Sequence, residues 1–307
     1  MRPMLATPGK HVPPGASWAH EVKWDGVRAL TEVRDGVLRM TSRNENPITV
    51  AWPELATSPY AERDLMVDGE IIALNDRGVP DFRTLQERMH VRRAATAERL
   101  AASVPATYMI FDLLRLDGRD LAAEPLEVRR AALEELGVDG VWQVPPQYDD
   151  GAMLFEATLQ QGLEGIVSKR RTSTYRFGER SPHWVKLAHR HRGSYVVGGW
   201  RPQEGTSDRL AALLVGEPTP DGLLYRGRVG SGIGPRQSRA LAEVVVGLGR
   251  ADSPFADDVP AVDARGTHWL QPVIVVDVDT HGRGYERLRQ PSFQGVRSDL
   301  TAKDLLP

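Results

Sequence analysis

The run Glu21-Val22-Lys23-Trp24-Asp25-Gly26-Val27-Arg28 decides how the rest of this chain is read. Strand-like alternation leads into it over Trp18–Trp24 and leaves it over Arg28–Val33, which sets Lys23 close to a strand end with Asp-Gly behind it. A lysine so placed, followed by Asp-Gly and then Arg, has the parts needed to carry a nucleotide on its own amine. An ordinary ammonium has no lone pair. A neighbouring metal or cation, or partial burial, lowers its pKa and frees the amine to attack phosphorus. Asp25 can orient the amine or help hold a metal. Gly26 lets the backbone approach a nucleotide, and Arg28 can grip sugar or phosphate. Alone, the string is equally that of a turn carrying a surface lysine.

Outward from this run the pattern stays strand-rich. Val37–Thr41 follows Arg28–Val33 across the turn Arg34-Asp35-Gly36, an antiparallel meander, and Leu65–Leu74 places Glu70 on a further strand. Asp81–His90 reads as a helix with Phe82, Leu85 and Met89 on one face, and Ala94–Ala102 reads as a second helix. Tyr108–Leu114 is a short buried strand; Glu127–Leu136 and Gly151–Gln161 are helices, the second leading to the strand Gly165–Lys169. A polar stretch near Lys186–Ser194 marks a boundary. Beyond it come the short strands Tyr195–Trp200, Ala211–Val215, Leu223–Val229 and Trp269–Val278, with one helix over Pro235–Leu248. A small β-barrel with one helix is the pattern of an oligonucleotide/oligosaccharide-binding (OB) fold. Gly230-Ser231-Gly232-Ile233-Gly234 lacks the parallel βαβ setting of a dinucleotide fingerprint and reads as a loop.

Composition narrows the class. The 307 residues suffice for two domains, and 41% hydrophobic with 26% charged residues is a globular balance. The absence of cysteine excludes disulfides and thiolate zinc sites and fits a reducing cytoplasm. No apolar run approaches membrane-spanning length, and no signal-peptide core opens the chain. Net charge is only −2. Between Lys169 and Arg192, however, Lys169, Arg170, Arg171, Arg176, Arg180, Lys186, Arg190 and Arg192 face Glu179 alone. Such a cluster can meet nucleotide phosphates and a nucleic-acid backbone together, or be a solvated basic loop.

Further strings follow the lysine in order: Ser42-Arg43-Asn44, Val67-Asp68-Gly69-Glu70, Tyr108-Met109-Ile110-Phe111-Asp112, Glu164-Gly165-Ile166-Val167-Ser168-Lys169, Trp184-Val185-Lys186 and Arg297-Ser298-Asp299. This ordered set resembles the motifs of the covalent nucleotidyltransferases: ATP-dependent DNA ligases, RNA ligases and mRNA capping enzymes. Arg2-Pro3-Met4-Leu5-Ala6, Phe111-Asp112-Leu113-Leu114, Tyr175-Arg176-Phe177-Gly178 and Val196-Val197-Gly198-Gly199-Trp200 bring it closer to the ligase module of bacterial non-homologous end-joining DNA ligases. The resemblance covers essentially the whole chain. It implies an α+β architecture: an adenylation domain over 1–187 with antiparallel sheets and flanking helices, a hinge linker over 188–193, and an OB-fold β-barrel over 194–307.

The resemblance also implies roles. Lys23 would take AMP from ATP, with Mg²⁺ or Mn²⁺ held by Glu164 and Asp25, then pass it to the 5′-phosphate of nicked double-stranded DNA. Glu21 matches the reader of the adenine amino group, Glu70 a ribose ligand, and Phe111 the aromatic that stacks on the base; from its strand alone Phe111 is equally a core residue. Arg180 and Lys186 match cationic contacts to the α-phosphate, and Arg28 a ribose or nick contact. Arg43, beside Ser42, matches the arginine that meets the 5′-phosphate, and Lys169, Arg170 and Arg176 would face DNA. Arg297 and Asp299 match the pair that swings over ATP and orients pyrophosphate. Implied partners are Ku and separately encoded polymerase or nuclease proteins, with the chain itself a bacterial, cytoplasmic monomer. Two lysines usual in the family are replaced, by Ala188 and Leu300; His189 or Arg190, and Lys303, are candidates to substitute. An RNA ligase or capping-type transferase, and a nick-binding module with weakened catalysis, remain the alternatives.

Overall fold

In the computed structural model, which describes residues 1–56, 60, 63–206, 209–281 and 286–306, the chain divides into two units, Met1–Ala188 and His189–Pro307. Along the first unit run β1 (Leu5–Pro8), β2 (Trp18–Val22), β3 (Val27–Arg34), β4 (Val37–Ser42), α1 (Pro53–Ala56), β5 (Leu65–Ile72), α2 (Phe82–Leu85) and α3 (Ala94–Ser103). They are followed by β6 (Thr107–Leu116), β7 (Arg119–Asp120), α4 (Leu126–Glu135), β8 (Trp142–Gln143), α5 (Gly151–Gln160), β9 (Gly165–Arg170) and β10 (Arg180–Ala188).

Two mainly antiparallel sheets result, ordered β1-β10-β9-β2 and β4-β3-β5-β6-β7, the second with β8 beside β6. Alternation assigns the faces. From β3 and β5, Val27, Ala29, Val33, Val67 and Ile71 enter the larger core, together with Leu85, Trp52 and Leu133 from the helical side. Arg28, Asp68 and Glu70 point the other way, where Met4, Leu30, Met66, Phe111, Tyr175 and Trp184 form a second core with residues of the smaller sheet's segments. Each fully buried aliphatic or aromatic side chain contributes about 1.5–3 kcal/mol, so these two clusters fix the spacing of the site residues that line their edge.

The second unit holds β11 (Arg190–Pro202), β12 (Leu210–Thr219), β13 (Gly222–Val229), α6 (Pro235–Val244), α7 (Ala261–Ala264), β14 (His268–Trp269), β15 (Val275–His281) and β16 (Arg289–Val296). Its antiparallel path is β13-β12-β11-β15-β16, with β14 beside β11. Among the described residues the expected barrel is not closed as a sheet: an isolated parallel bridge, Ser231↔Ser292, and the Leu288 amide on the Arg226 carbonyl at 2.7 Å link the β13 side to β16. Leu300 packs against a core of Val196, Leu214, Tyr225 and Phe255, a place in which a lysine would lose its hydration.

Several element assignments change. Helix is confined to Phe82–Leu85 within Asp81–His90, although Phe82, Leu85 and Met89 do meet the core. In the turns that follow, fully buried Arg88 bonds Glu54 and the carbonyls of Ala51 and Val104. The strand expected over Trp269–Val278 is two pieces, β14 and β15, separated by a segment containing Pro272, which has no N–H to donate. Helix α6 stops at Val244, before the β-branched Val245-Val246. In the stretch assigned to a linker, Arg190–Gly193 lie in β11, paired with His281–Val278.

Candidate active site

The Lys23–Gly26 loop joins β2 to β3 at the edge of the second core. The Lys23 amide donates to the Gly165 carbonyl at 2.9 Å, tying the loop to β9. A Cβ on Gly26 would lie 2.1 Å from the Ile71 carbonyl oxygen, so the loop presses on β5 at a distance only glycine permits. Lys23 Nζ is ion-paired with Glu164, both side chains largely withdrawn from solvent.

A cavity of about 290 Å³ opens beside this pair. Glu21, Lys23, Arg28, Arg43, Glu70, Phe111, Lys169, Arg180 and Lys186 all line it, so the structure gathers nine of the residues singled out from sequence. Period-two spacing explains how: Lys169 and Val167 share a face of β9, as Trp184 and Lys186 share a face of β10. Six cationic side chains line it; Lys23 is paired with Glu164, Arg28 with Asp68 and Lys169 with Glu21, which leaves Arg43, Arg180 and Lys186 to meet an anion.

Electrostatics inside it are strongly perturbed. Burial pushes the Glu70 carboxyl up to about 8, against the pull of Arg28 and Lys23. Burial also lowers the Lys186 pKa, reinforced by the nearby charges of Lys23 and Arg180. Lys169 is 1% exposed, and burial draws its pKa down while Glu21 opposes. Its ammonium meets Glu21 Oε2 at 2.7 Å and lies 4.3 Å from the ring centroids of both Phe111 and Trp184. Gln147 Nε2 donates to the other Glu21 oxygen at 2.8 Å.

The placement departs from expectation at three positions. Lys169 was expected to face DNA; wholly buried against Glu21, it belongs to the cavity. Arg28 is held in a bidentate pair with buried Asp68, both contacts at 2.6 Å, and Asp68 also accepts from Tyr175 Oη at 2.6 Å. Burial works against the Arg28 charge, but Asp68 prevails and the net shift is upward. Asp25, half-buried in the loop, is not among the lining residues. Of the outward residues, Arg170 lies over the Trp18 ring at 5.1 Å and Arg176 is exposed, 3.9 Å from Glu179. Ser42 and Arg43 line an adjoining groove. In the second unit, Arg297 pairs with Asp299 at 2.7 Å and holds its carboxyl down to about 2.

Asp68, Tyr175, Trp184 and Gln147 were not assigned roles from sequence. The first three lie inside the quoted strings, and Asp68 shares a strand face with Glu70. Gln147 carries no such signal. Among the described residues no three His, Cys, Asp or Glu side chains gather into a metal site. A hard cation beside Lys23 would need oxygens beyond these carboxylates to complete its shell.

A lysine beside a cationic cavity, with carboxylates and aromatics around it on two mainly antiparallel sheets, has the parts that nucleotidyl transfer to a lysine needs. A family model described as "ATP dependent DNA ligase domain" matches residues 3–187, and one described as "ATP dependent DNA ligase C terminal region" matches residues 206–300; the chain belongs to the ATP-dependent DNA ligases. It is 38% identical over 312 residues to the multifunctional non-homologous end joining DNA repair protein LigD of Mycobacterium tuberculosis, covering all of this chain and 40% of that protein. The chain thus spans well under half of that relative. It is 36% identical over 234 residues to DNA ligase C of the same organism, covering 72% of this chain and 63% of that one. A solved mycobacterial DNA ligase D complexed with ATP and MES matches with a TM-score of 0.58 and 36% identity, covering 99% of this chain and 97% of that one.

Proposed function

We propose that the chain seals nicks between a 5′-phosphate and a 3′-hydroxyl in duplex DNA, consuming ATP, as the ligase module of an end-joining repair system. The observation that carries this reading is Lys23, held by Glu164 at a 290 Å³ cavity whose other cations suit a polyphosphate. Lys23 gives up a proton, to Glu164 or to solvent, and its free amine attacks the α-phosphorus while the bond to pyrophosphate breaks, leaving a Lys23–AMP phosphoramidate. Arg180 and Lys186 stabilise charge on the phosphoryl oxygens as it develops. Phe111 stacks on adenine, Glu21 accepts from its amino group, and Glu70 contacts the ribose. Held protonated to about pH 8 in the free protein, Glu70 can donate as well as accept there. Lys169 belongs to base recognition, since its ammonium anchors Glu21. AMP then passes to the 5′-phosphate met by Arg43 and Ser42, while Arg170 and Arg176 face the DNA backbone; the 3′-hydroxyl finally displaces AMP.

Glu164 and Asp25 would hold Mg²⁺ or Mn²⁺ together with phosphate oxygens, and the hard cation supplies charge neutralisation where two anions approach. A rotation of the second unit of the kind the family uses would pivot near His189, between the end of β10 and the start of β11. Ku, and polymerase or nuclease proteins, are the partners of this reading, in the bacterial cytoplasm. The decisive experiment incubates the protein with α-labelled ATP and Mg²⁺ or Mn²⁺, then chases with nicked DNA. A covalent label that Lys23→Ala abolishes, and that leaves the protein as the nick is sealed, is the expected result. Label from GTP in place of ATP would point to capping chemistry, and tight nick binding without label to a weakened binding module.

A further inference from the structure

We propose that a second groove, running from Arg43 to Arg92, seats the sugar–phosphate backbone of the DNA strand that bears the 5′-phosphate. The inference rests on the ligase reading and on Arg43 as the 5′-phosphate ligand, and extends the DNA site to residues outside every motif. The groove has a volume of about 270 Å³ and shares Gly26, Arg28 and Arg43 with the nucleotide cavity. A strand end engaged at Arg43 therefore continues into it. Asn44, His90 and Arg92 supply polar lining, and Ile48, Phe82 and Met89 an apolar floor against which deoxyribose can pack.

Charge argues for a polyanion. No aspartate or glutamate lines the groove among the described residues. Glu45, next to Asn44, turns to Arg2 at 2.9 Å and to the N-terminal amine at 3.2 Å. Arg28 is satisfied by Asp68, but the described residues give Arg43 and Arg92 no ion-pair partner. Two arginines left unneutralised along one groove are what a phosphodiester chain neutralises, with release of counterions.

The far wall is built to hold its position. Arg88, 0% exposed, anchors the turn beneath it: Nη1 meets Glu54 Oε1 and the Val104 carbonyl at 2.5 Å, and Nη2 meets Glu54 Oε2 at 2.8 Å and the Ala51 carbonyl at 2.9 Å. Its guanidinium lies 4.5 Å from the Trp52 ring, and the Val91 amide donates to its carbonyl at 3.0 Å. One buried arginine thus presents His90 and Arg92 outward from a fixed turn, so little ordering is left for binding to do.

The test uses the full chain with a nicked, 5′-phosphorylated duplex, measuring affinity by fluorescence anisotropy across a salt titration, with self-labelling by ATP followed in parallel. Arg92→Ala should lower the slope of log K against log salt by about one and weaken binding roughly three- to tenfold, leaving the label unchanged. Arg92→Lys should keep the slope, and adding His90→Ala to Arg92→Ala should weaken binding further. The Arg92→Ala penalty should persist on a nick lacking the 5′-phosphate, whereas that of Arg43→Ala should shrink. An unchanged slope and affinity in Arg92→Ala, with the label intact, would overturn the groove alone. A parent protein that neither takes label nor prefers nicked to intact duplex would overturn the ligase reading, and this inference with it.

Discussion

Glu70 shows how a single residue couples the site to stability. Its carboxyl has an ordinary value of 4.5 and is pushed up to about 8 in the fold. Between those values the unfolded chain loses the proton that the folded chain keeps, so stability falls as pH rises from about 4.5 to 8 and levels off above. The residue is only partly withdrawn from solvent by area, so the cost is put at a few kcal/mol. Chemical denaturation of nucleotide-free protein should show this decline, and Glu70→Gln should flatten it; an identical pH profile in the variant would count against the assignment. The Lys169–Glu21 pair gives a complementary case. Lys169→Met strands a buried carboxylate and should destabilise the fold by about 3–5 kcal/mol. Adding Glu21→Gln should recover most of that stability without restoring ATP labelling, if Glu21 reads adenine as proposed and its carboxylate is what does so. Recovery of labelling in the double variant would sink the role given to Glu21.

At the scale of elements, two close approaches carry the catalytic loop. Gly165 has φ +138° and would place a Cβ 2.0 Å from the Leu187 carbonyl oxygen, where β9 and β10 meet next to Glu164. Gly165→Ala should cost about 1–3 kcal/mol in thermal or urea unfolding through backbone strain alone. Gly26→Ala instead lifts the Lys23 loop from β5. A displacement of about 1 Å at a reacting group can cost roughly a hundredfold in rate, so labelling should fall far more than stability. Equal losses in both would show that the loop is structural first. These contacts also explain what was legible in advance. Strands β2 and β3 were legible by alternation and β5, β6 and β9 as β-rich or buried runs, and the motifs on them named most of the cavity lining. Strand β10 did not: in Arg180-Ser181-Pro182-His183-Trp184-Val185-Lys186 the cavity face carries charge and the proline interrupts the pattern, so the segment read as a basic stretch. Arg88 hid for a similar reason. Nothing local distinguishes a buried arginine from a solvated one until Glu54, 34 positions away, is in place. Lys169 was mistaken for a DNA contact on the same ground, its partners Glu21 and Phe111 being supplied by other strands.

For the whole molecule, the nucleotide cavity is built entirely from the first unit, while Arg297 and Asp299 belong to the second. The division separates what binds ATP from what the family resemblance expects to activate its leaving group. It also makes the chemical steps separable by mutation. Asp299 is exposed and Arg297 half-buried; besides its 2.7 Å pair with Asp299, Arg297 lies 3.4 Å from Asp277, and partly solvated pairs of this kind contribute little to folding. Arg297→Ala should therefore lower the unfolding midpoint only slightly. If the second unit acts only on pyrophosphate departure, Lys23 labelling should slow by at least one to two orders of magnitude, the loss typical of one charge-assisted contact to a reacting phosphate. Sealing of a nick supplied already adenylylated should proceed at the parental rate, because that step releases AMP and not pyrophosphate. Single-turnover assays of the two steps, on one preparation of the variant, measure both. Slowing of both steps alike would place Arg297 in DNA binding, and slowing of neither would leave the second unit without a part in the first step of the chemistry.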